Sequence, residues 1–574
     1  IKTSHSLQVS HASFSSQSPS VRDDFLNASF PNNFQWAVSS ESFKVEGGWS
    51  EGGKGETIWD RFSHEGHVFE NQTADMACDS YNKLDYDVYL LRGLMTRTFQ
   101  FSLSWARIFP TGLRGSLSET GVLYYDQLIN TLLQSGIEPS VTLHHWDLPQ
   151  ALQEKGGWNN ASIVEAFKDF ADFCFSRYGD RVKTWSTFSS PWVISHFGYG
   201  TGDHPPRITD PVVVTFNILR SHAEAWHVYN DKYRKQQGGK VGVSLNSDWT
   251  EPQNPSQPQD IEAAERYLHF TLGWFAHPIF VNGDYPVKLT GQILEKNKHC
   301  SSEVARLPAF TESERKRIQG TADFFGLNHY TSYLVSQVNG GCLPGLNNVG
   351  DFQTHVDPAW PPTVSSSIYS VPWGLRRLLN YISDEYTSVS GVPIYITGNG
   401  VPTGYNTNLL NDTQRVDFLK KYINEALKAI NLDGVSVERF TVQSLMDGFE
   451  GPQGYSERFG LHYVNFDDMD RPRTPKESAY VYSQIIENNG FEPNTEDVDM
   501  LKRLKVTHYR FSISWPRVLP DGTNRFINEA GLNYYHRLVD ALLAVNIQPQ
   551  VRKHVTPSKC FSCVTKLFMM KENK

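Results

Sequence analysis

From Phe30 onward, the hydrophobic and polar positions of the chain follow two alternating patterns. Short apolar runs, typical of strands buried on both faces, are followed by longer stretches with helical spacing, and this succession occurs eight times. The predicted strands are Phe34–Ser39, Thr98–Trp105, Ser140–His144, Val182–Phe188, Lys240–Asn246, Phe324–Tyr330, Pro393–Thr397 and Phe440–Leu445. Strand-then-helix alternation predicts a parallel sheet with helices outside it. Eight such units favour a closed (β/α)8 TIM barrel of the α/β class.

Helical spacing between these strands predicts the outer layer of the barrel. The predicted helices include Gly121–Ser135, Ile163–Tyr178, Val212–Tyr233, Trp373–Tyr386, Thr413–Ile430 and Ser478–Asn488. Asn411 or Asp412 is expected to cap the helix that begins at Thr413. The barrel domain is therefore predicted to span residues 30–491.

The residues outside the barrel divide into three segments. Residues 1–29 are rich in Ser, His and Gln without periodicity, which indicates a linker or the end of a preceding segment. Residues 492–551 are predicted to be a truncated repeat, because Asp497–Val551 resembles Asp87–Val141 at a constant offset of 410 residues. Residues 552–574 form a tail that matches nothing upstream.

A lone βαβ piece cannot close a barrel or bury its strands on both faces. We therefore expect the apolar side chains of the repeat to have no partners in this chain. These side chains are Phe511, Ile513, Trp515, Leu538, Leu542 and Leu543.

Composition narrows the classes of function. The chain is 39% hydrophobic and 20% charged, which is typical of a globular protein. A net charge of −9 and a pI near 6.1 argue against nucleic acid as a partner. No apolar run is long enough to span a bilayer.

Six cysteines in so long a chain do not form a disulfide framework. Cys300 and Cys342 flank a loop-rich stretch and are the best candidates for a bridge, whereas Cys174 lies on an apolar helical face and is expected to be a core thiol. Cys560 and Cys563 have C-x-x-C spacing, but no second pair accompanies them. We therefore predict no metal site, and no cofactor either.

Two motifs at strand ends carry the strongest functional signal. Val392–Val401 reads V-P-I-Y-I-T-G-N-G-V, and Thr187–Trp192 reads T-F-S-S-P-W. These resemble the I-T-E-N-G and T-F-N-E-P motifs of glycoside hydrolase family 1, whose glutamates are the nucleophile and the acid/base. In this chain the nucleophile position is Gly398 and the acid/base position is Ser190. Glycine has no nucleophile, and a serine hydroxyl holds its proton too tightly to act as a general acid.

The resemblance identifies further positions at which this chain departs from the family pattern. Gln100 replaces the arginine that steadies the nucleophile, and Ser189 replaces the asparagine that holds the sugar 2-hydroxyl. Lys44 replaces a hydroxyl-binding glutamine, and Gln443 and Gly451 replace two tryptophans of the sugar platform. These substitutions predict a weak, altered pocket, because an aromatic platform contributes about 0.5–1.5 kcal/mol beyond area burial.

Other sugar-binding positions of the family are kept. The candidates that the resemblance implies are His145, Trp146, Asn328, Tyr330, Glu450 and Phe459. A structural interpretation stays open for several of them. His145 and Trp146 could be packing at the barrel top, Asn328 and Tyr330 could be core residues, and Glu450 could serve an ion pair.

The resemblance is strongest to the lactase-phlorizin hydrolase and Klotho branch, in which barrels are strung in tandem and some have lost catalytic residues. The resemblance implies an O-glycosyl hydrolase of the β-glucosidase or lactase type. The residues themselves predict a silent barrel with a folding, scaffolding or binding role, whose partners would be a weakly bound carbohydrate or neighbouring barrels. Two alternatives stay open: residual β-glycosidase activity through Glu251 or Glu450, and a Klotho-like co-receptor that binds a protein ligand.

Four N-glycosylation sequons begin at Asn27, Asn71, Asn160 and Asn411. Together with the family resemblance they favour the secretory pathway or the cell surface, as part of a larger membrane-anchored protein. A signal peptide would lie upstream of Ile1.

Overall fold

The computed structural model describes residues 25–208, 211–300, 307–342, 346–404, 409–491, 496–513, 518 and 529–552. The chain divides into two compact units. Phe30–Glu487 belong to the first unit, whereas Asn27–Ser29 and the residues from Asn488 onward belong to the second. The division falls close to the predicted domain boundary at residue 491. Most of the predicted linker, residues 1–24, and the tail after residue 552 lie outside the described residues, as do Cys560 and Cys563.

The first unit is a closed barrel of eight parallel strands, so the predicted (β/α)8 barrel is confirmed. In chain order the strands are β1 (Gln35–Ser40), β2 (Thr98–Ser102), β3 (Glu138–His144), β4 (Thr184–Ser189), β5 (Lys240–Asn246), β6 (Phe325–Asn328), β7 (Ile394–Asn399) and β8 (Val437–Gln443). Each strand pairs with its sequence neighbours, and β8 pairs with β1 to close the barrel.

The barrel strands are buried on both faces, which explains their apolar runs. All six residues of β7 are buried, and in β3 only Glu138 is exposed. Strand β2 is shorter than predicted, because a short helix, Trp105–Ile108, begins shortly after Ser102. The sequence pattern therefore located every strand but overestimated the length of some.

Helices surround the barrel at the predicted places. The longer ones are Leu84–Gly93, Glu119–Gln134, Ile163–Tyr178, Pro211–Val228, Pro258–Leu268, Val287–His299, Glu312–Ile318, Trp373–Ile382, Thr413–Asn431 and Glu477–Asn488. Asp412 occupies the N-cap position before Thr413, but its side chain does not cap the helix. It accepts hydrogen bonds from Arg415 and from Ser478 instead, which ties this helix to the last one.

The carboxyl ends of the barrel strands meet at one mouth, as they do in every barrel of this type. A three-stranded sheet, formed by Trp249–Pro252, Ser332–Gln337 and Phe352–His355, is built from the segments that follow β5 and β6. Cys300 and Cys342, which were predicted as the bridge, are joined by a disulfide bond. Cys174 is a buried free thiol, as expected.

The second unit contains two parallel strands, β9 (His508–Ser512) and β10 (Gln548–Arg552), and the helices Glu496–Arg503 and Glu529–Ala544. Its register repeats that of the barrel. His508 pairs with Gln548 as Thr98 pairs with Glu138, which is the same offset of 410 residues at both ends of the pairing. The two strand pairs thus share one register, in the closed barrel and in the two-stranded sheet of the second unit.

The expectation that the apolar residues of the repeat lack partners is wrong. Leu542 is fully buried in a small core with Val498, Leu501 and Ile547, and Phe511 and Leu538 pack against it. The helix Glu496–Arg503, which precedes β9, supplies two of these partners, and the sequence did not predict a helix there. Leu543 is 45% exposed, in line with the expectation, and Trp515 lies outside the described residues.

No helix within the described ranges is both long and apolar enough to cross a membrane. Of the four sequon asparagines, Asn71, Asn160 and Asn411 are exposed, whereas Asn27 is half-buried.

Candidate active site

A cavity of about 430 Å³ opens at the mouth of the barrel and brings most of the predicted site residues together. The predicted positions that line it are Lys44, His145, Trp146, Ser190, Asn328, Tyr330, Gln443, Glu450, Gly451 and Phe459. Gln100, Ser189 and Gly398 are buried and do not line it. The residue at the nucleophile position therefore does not reach the wall of the cavity.

Neighbouring side chains close over Gly398, which lies near the end of β7. A Cβ at this position would lie 2.7 Å from the hydroxyl oxygen of Tyr330 and 2.8 Å from Oδ1 of Asn328. Real Cβ atoms almost never approach another heavy atom so closely, so even alanine would force one of these groups to move. The space that a Cβ would need at residue 398 is thus occupied by polar atoms of β6 and of the segment after it.

Ser190 is held by hydrogen bonds at the end of β4. Its backbone has a left-handed conformation with φ of 48°, and its N–H donates to the carbonyl of Ser244 at 2.8 Å. Its hydroxyl accepts a hydrogen bond from Nδ2 of Asn328 at 2.9 Å. Ser189 accepts from the same Nδ2 at 3.1 Å. Among the described residues, no histidine or carboxylate forms a hydrogen bond with the side chain of either serine.

Asn328 joins the two altered positions in one polar network. While its amide nitrogen donates to both serines, its Oδ1 accepts a hydrogen bond from the Thr397 hydroxyl at 2.8 Å. Gln100 donates its side-chain amide to the carbonyl of Thr397 at 2.9 Å. These uncharged groups satisfy one another, so the centre of the barrel mouth is stable without an ion.

An ion pair lies at the side of the cavity formed by the segments after β1 and β8. Nζ of Lys44 is 2.8 Å from Glu450 and 3.5 Å from Glu41, and all three side chains are buried. Burial alone would lower the pKa of Lys44, but the charges of Glu41 and Glu450 outweigh it and raise that pKa. Burial raises the pKa of Glu450, and Lys44 opposes that rise. Glu450 thus forms an ion pair, which was one of the two roles that the sequence left open for it.

Aromatic and amide groups complete this side of the cavity. The Tyr330 hydroxyl donates to Oε1 of Gln443, and the Trp146 indole donates to the carbonyl of Ser189 at 3.0 Å. Gly451 has φ of 59°, and a Cβ there would lie 3.0 Å from the ring of Trp59. A tryptophan at residue 451 would therefore not fit beside Trp59 as the chain now packs.

His145 is uncharged at neutral pH. Burial, together with the nearby charge of Lys44, lowers its pKa well below the ordinary value. Its ring can therefore offer one donor and one acceptor to a ligand, in the manner of a sugar-binding histidine.

Several cavity residues escaped the sequence analysis. These are Trp192, His196, His204, Asp248, Tyr267, Tyr333 and Glu457. Asp248 follows the end of β5 by two residues, which is the signal that could have identified it. Burial raises its pKa to about 6, although a hydrogen bond from Tyr267 at 2.9 Å opposes the rise.

Glu251, which sequence analysis considered as a substitute catalyst, does not line the cavity. It pairs with Arg377 and accepts a hydrogen bond from the indole of Trp249 at 2.7 Å. Its carboxylate is therefore used in an ion pair on the three-stranded sheet. No cluster of side chains suited to a metal ion occurs in the part of the chain that the structure describes.

The chain is similar to known proteins along most of its length. The chain is 45% identical to human lactase/phlorizin hydrolase over 94% of its length, and it spans 34% of that protein. It is 46% identical to human lactase-like protein, with 83% of this chain and 84% of that one covered. Among solved structures, an aphid myrosinase superimposes with a TM-score of 0.76 at 37% identity, covering 81% of this chain and 100% of the other.

The sequence model of glycosyl hydrolase family 1 matches residues 26–491 and, separately, residues 492–554. The first match contains the whole barrel, including both altered strand ends. The chain therefore belongs to glycosyl hydrolase family 1.

Proposed function

We propose that this barrel is a catalytically silent family 1 module with a binding, folding or scaffolding role. The observation that carries the proposal is the pair of residues at the two catalytic positions, Ser190 and Gly398. Hydrolysis with retention needs two carboxylates about 5–5.5 Å apart, one as nucleophile and one as acid/base. This chain has neither at those positions.

The surroundings of both positions support the same conclusion. Asn328 uses its amide nitrogen on Ser189 and Ser190, so that nitrogen is engaged within the protein. Gln100, which stands at the family's arginine position, is uncharged and donates to the carbonyl of Thr397. It therefore needs no negative charge from a nucleophile at residue 398. A buried arginine without that anion would be an unpaired charge that costs several kcal/mol, which gives a physical reason for the uncharged amide.

Other carboxylates do not replace the missing pair. Glu450 is neutralised by Lys44, and Glu251 is paired with Arg377 outside the cavity. Asp248 and Glu457 also lie in the wall of the cavity, but neither occupies a position of the family's catalytic pair. Residual glycosidase activity is for these reasons the weaker hypothesis.

The cavity itself supports a binding role. Its volume of about 430 Å³ is in the range of small-ligand sites, and Trp146, Tyr330 and Phe459 give it the aromatic surface that sugars pack against. We propose a weakly bound carbohydrate as its ligand, by analogy with relatives that are named for lactase and phlorizin hydrolase activity. A protein ligand, as in a Klotho-like co-receptor, is the alternative.

The chain spans about a third of the lactase/phlorizin hydrolases that it matches, so the role of any larger protein is part of the proposal. We propose that the barrel acts beside other barrels in the secretory pathway or at the cell surface. The exposed asparagines Asn71, Asn160 and Asn411 are available for glycosylation there.

Ligand-observed NMR tests binding and hydrolysis in one sample. The full chain is incubated with lactose or phlorizin, saturation transfer reports contact with the protein, and free glucose reports cleavage. The proposal predicts saturation transfer without glucose release. Glucose release above a protein-free control would contradict the catalytic silence, and absence of transfer from either compound would contradict carbohydrate binding.

A further inference from the structure

Charged groups lie on opposite sides of the barrel mouth. Lys44 follows β1 and Glu450 follows β8, and these two strands are neighbours in the closed barrel. Asp248 follows β5, which lies across the barrel from β1 and β8 in the strand order. All three residues line the cavity. A ligand that fills the cavity would therefore meet two different electrostatic environments.

The β1–β8 side has no positive charge to spare. Lys44 is the one lysine or arginine among the described residues that line the cavity, and it is paired with Glu41 and Glu450. His196 and His204, in the part of the wall that follows β4, add no positive charge at neutral pH, because burial lowers the pKa of both to about 4. An anionic ligand would thus find no free counter-ion here.

The β5 side has a carboxylate without a cation. Asp248 accepts a hydrogen bond from the Tyr267 hydroxyl at 2.9 Å, and no lysine, arginine or histidine of the described ranges forms an ion pair with it. The rings of Tyr267 and Tyr333 lie beside it, with their centroids 6.5 Å apart, and both line the cavity. A half-buried carboxylate near tyrosine side chains is an environment that stabilises a cation.

We propose that the β5 side of the cavity binds a protonated amine carried on an aromatic or sugar body, with Asp248 as its counter-ion. The ammonium group donates hydrogen bonds to the Asp248 carboxylate, and the faces of Tyr267 and Tyr333 contact the body that carries it. Charge-assisted hydrogen bonds are stronger than neutral ones, so the amine sets the specificity of the site. This inference deepens the proposed carbohydrate binding, since the sugar would occupy the β1–β8 side.

Three probes separate the two proposals. Phenyl β-D-glucoside is neutral, 4-(aminomethyl)phenyl β-D-glucoside adds only the cationic group, and benzylamine carries the cation without the sugar. Their dissociation constants for the full chain are measured at neutral pH by calorimetry, together with those of Asp248→Asn. Glu457→Gln is the matched control, because Glu457 is another carboxylate of the cavity wall.

The expected result is that the aminomethyl glucoside binds about tenfold more tightly than the neutral glucoside, and that Asp248→Asn abolishes this preference while Glu457→Gln keeps it. An equal affinity of wild-type protein for the two glucosides overturns the inference without any variant. A preference that survives in Asp248→Asn also overturns it.

Failure of the proposed carbohydrate binding has a different signature. If benzylamine binds in an Asp248-dependent manner while phenyl β-D-glucoside does not bind, the amine site stands and the sugar site falls. If none of the three probes binds, both fall.

Discussion

The hydroxyl oxygen of Tyr330 lies 2.7 Å from the position that a Cβ would occupy on residue 398, where the chain has Gly398. The loss of the nucleophile is therefore more than the loss of one side chain. Polar side chains stand where that Cβ would be, and the same Tyr330 hydroxyl donates to Gln443 at a second altered position. We therefore expect that restoring one residue alone would not restore the site.

Gly398→Glu is predicted to remain inactive and to be less stable than the wild type. The smaller change Gly398→Ala isolates the Cβ and should cost about 1–3 kcal/mol of unfolding free energy, as overpacking of a filled core does. Urea unfolding measures this cost. In Tyr330→Phe, which removes the clashing hydroxyl, the cost of Gly398→Ala should be smaller by at least about 0.5 kcal/mol. Equal costs in the two backgrounds would contradict the proposed crowding.

Because Lys44 and Glu450 form a buried ion pair, we expect the stability of the barrel to depend strongly on both residues. Lys44→Gln restores the family residue but leaves Glu41 and Glu450 buried without their cation. We expect it to destabilise the barrel by about 3–5 kcal/mol, measured by chemical denaturation. The double variant Lys44→Gln/Glu450→Gln removes one of the stranded charges and should recover much of the loss. A single variant as stable as the wild type would show that the pair is not needed.

We expect the carboxyl group of Asp248 to make the unfolding free energy of the chain depend on pH. Its pKa in the folded chain is about 6, because burial outweighs the Tyr267 hydrogen bond, and the ordinary value is about 3.9. The folded state thus binds this proton more tightly than the unfolded state. The corresponding stability is fully present below about pH 4 and is lost as the pH rises to about 6.

Asp248→Asn removes this titrating group, so it is the reference against which the wild type is compared. Between pH 4 and pH 7, the unfolding free energy of the wild type relative to Asp248→Asn should fall by up to roughly 3 kcal/mol. Denaturant unfolding of both proteins at several pH values measures the difference. A difference that stays constant or rises with pH would refute the assignment.

The second unit is predicted to depend on its own small core. Leu542→Ala should destabilise this unit by about 2–5 kcal/mol, because Leu542 is fully buried and all of its core partners belong to the same unit. Limited proteolysis should then degrade the residues after Asn488 faster than in the wild type. Leu543→Ala is the matched control, since Leu543 is 45% exposed. Equal protease resistance of Leu542→Ala and wild type would mean that the core contributes little.

The sequence predicted the barrel well for a physical reason. Strands such as β7 are buried on both faces, so their apolar runs stand out from the amphipathic helices around them. The strand ends were less certain, because Trp105 and Tyr330 continue an apolar run after the backbone has left the strand. Positions such as Ser190 and Gly398 could be located because they occur within motifs whose other residues are kept.

What the sequence did not reveal depends on contacts between distant segments. Lys44 and Glu450 are separated by 406 residues, and only the closure of β8 onto β1 brings them together. The sequence prediction named Glu251, after β5, as one of two alternative carboxylates, although Asp248 is the carboxylate of that segment that lines the cavity. Three residues along one segment thus separate Asp248, which lines the cavity, from Glu251, which does not. The core of the second unit was missed because residues 496–503, although they fall within the predicted repeat, were not predicted to form a helix.

Catalytic silence is the central claim, and the initial rate of 4-nitrophenyl β-D-glucoside hydrolysis tests it most directly. The full chain is assayed beside an active family 1 β-glucosidase, with Asp248→Asn and Glu450→Gln as controls for a substitute carboxylate. Because both catalytic carboxylates are absent, we predict a rate equal to the protein-free background for the wild type and for both variants. A wild-type rate within about a hundredfold of the active enzyme, lost in Asp248→Asn or Glu450→Gln, would contradict the account and identify a replacement catalyst.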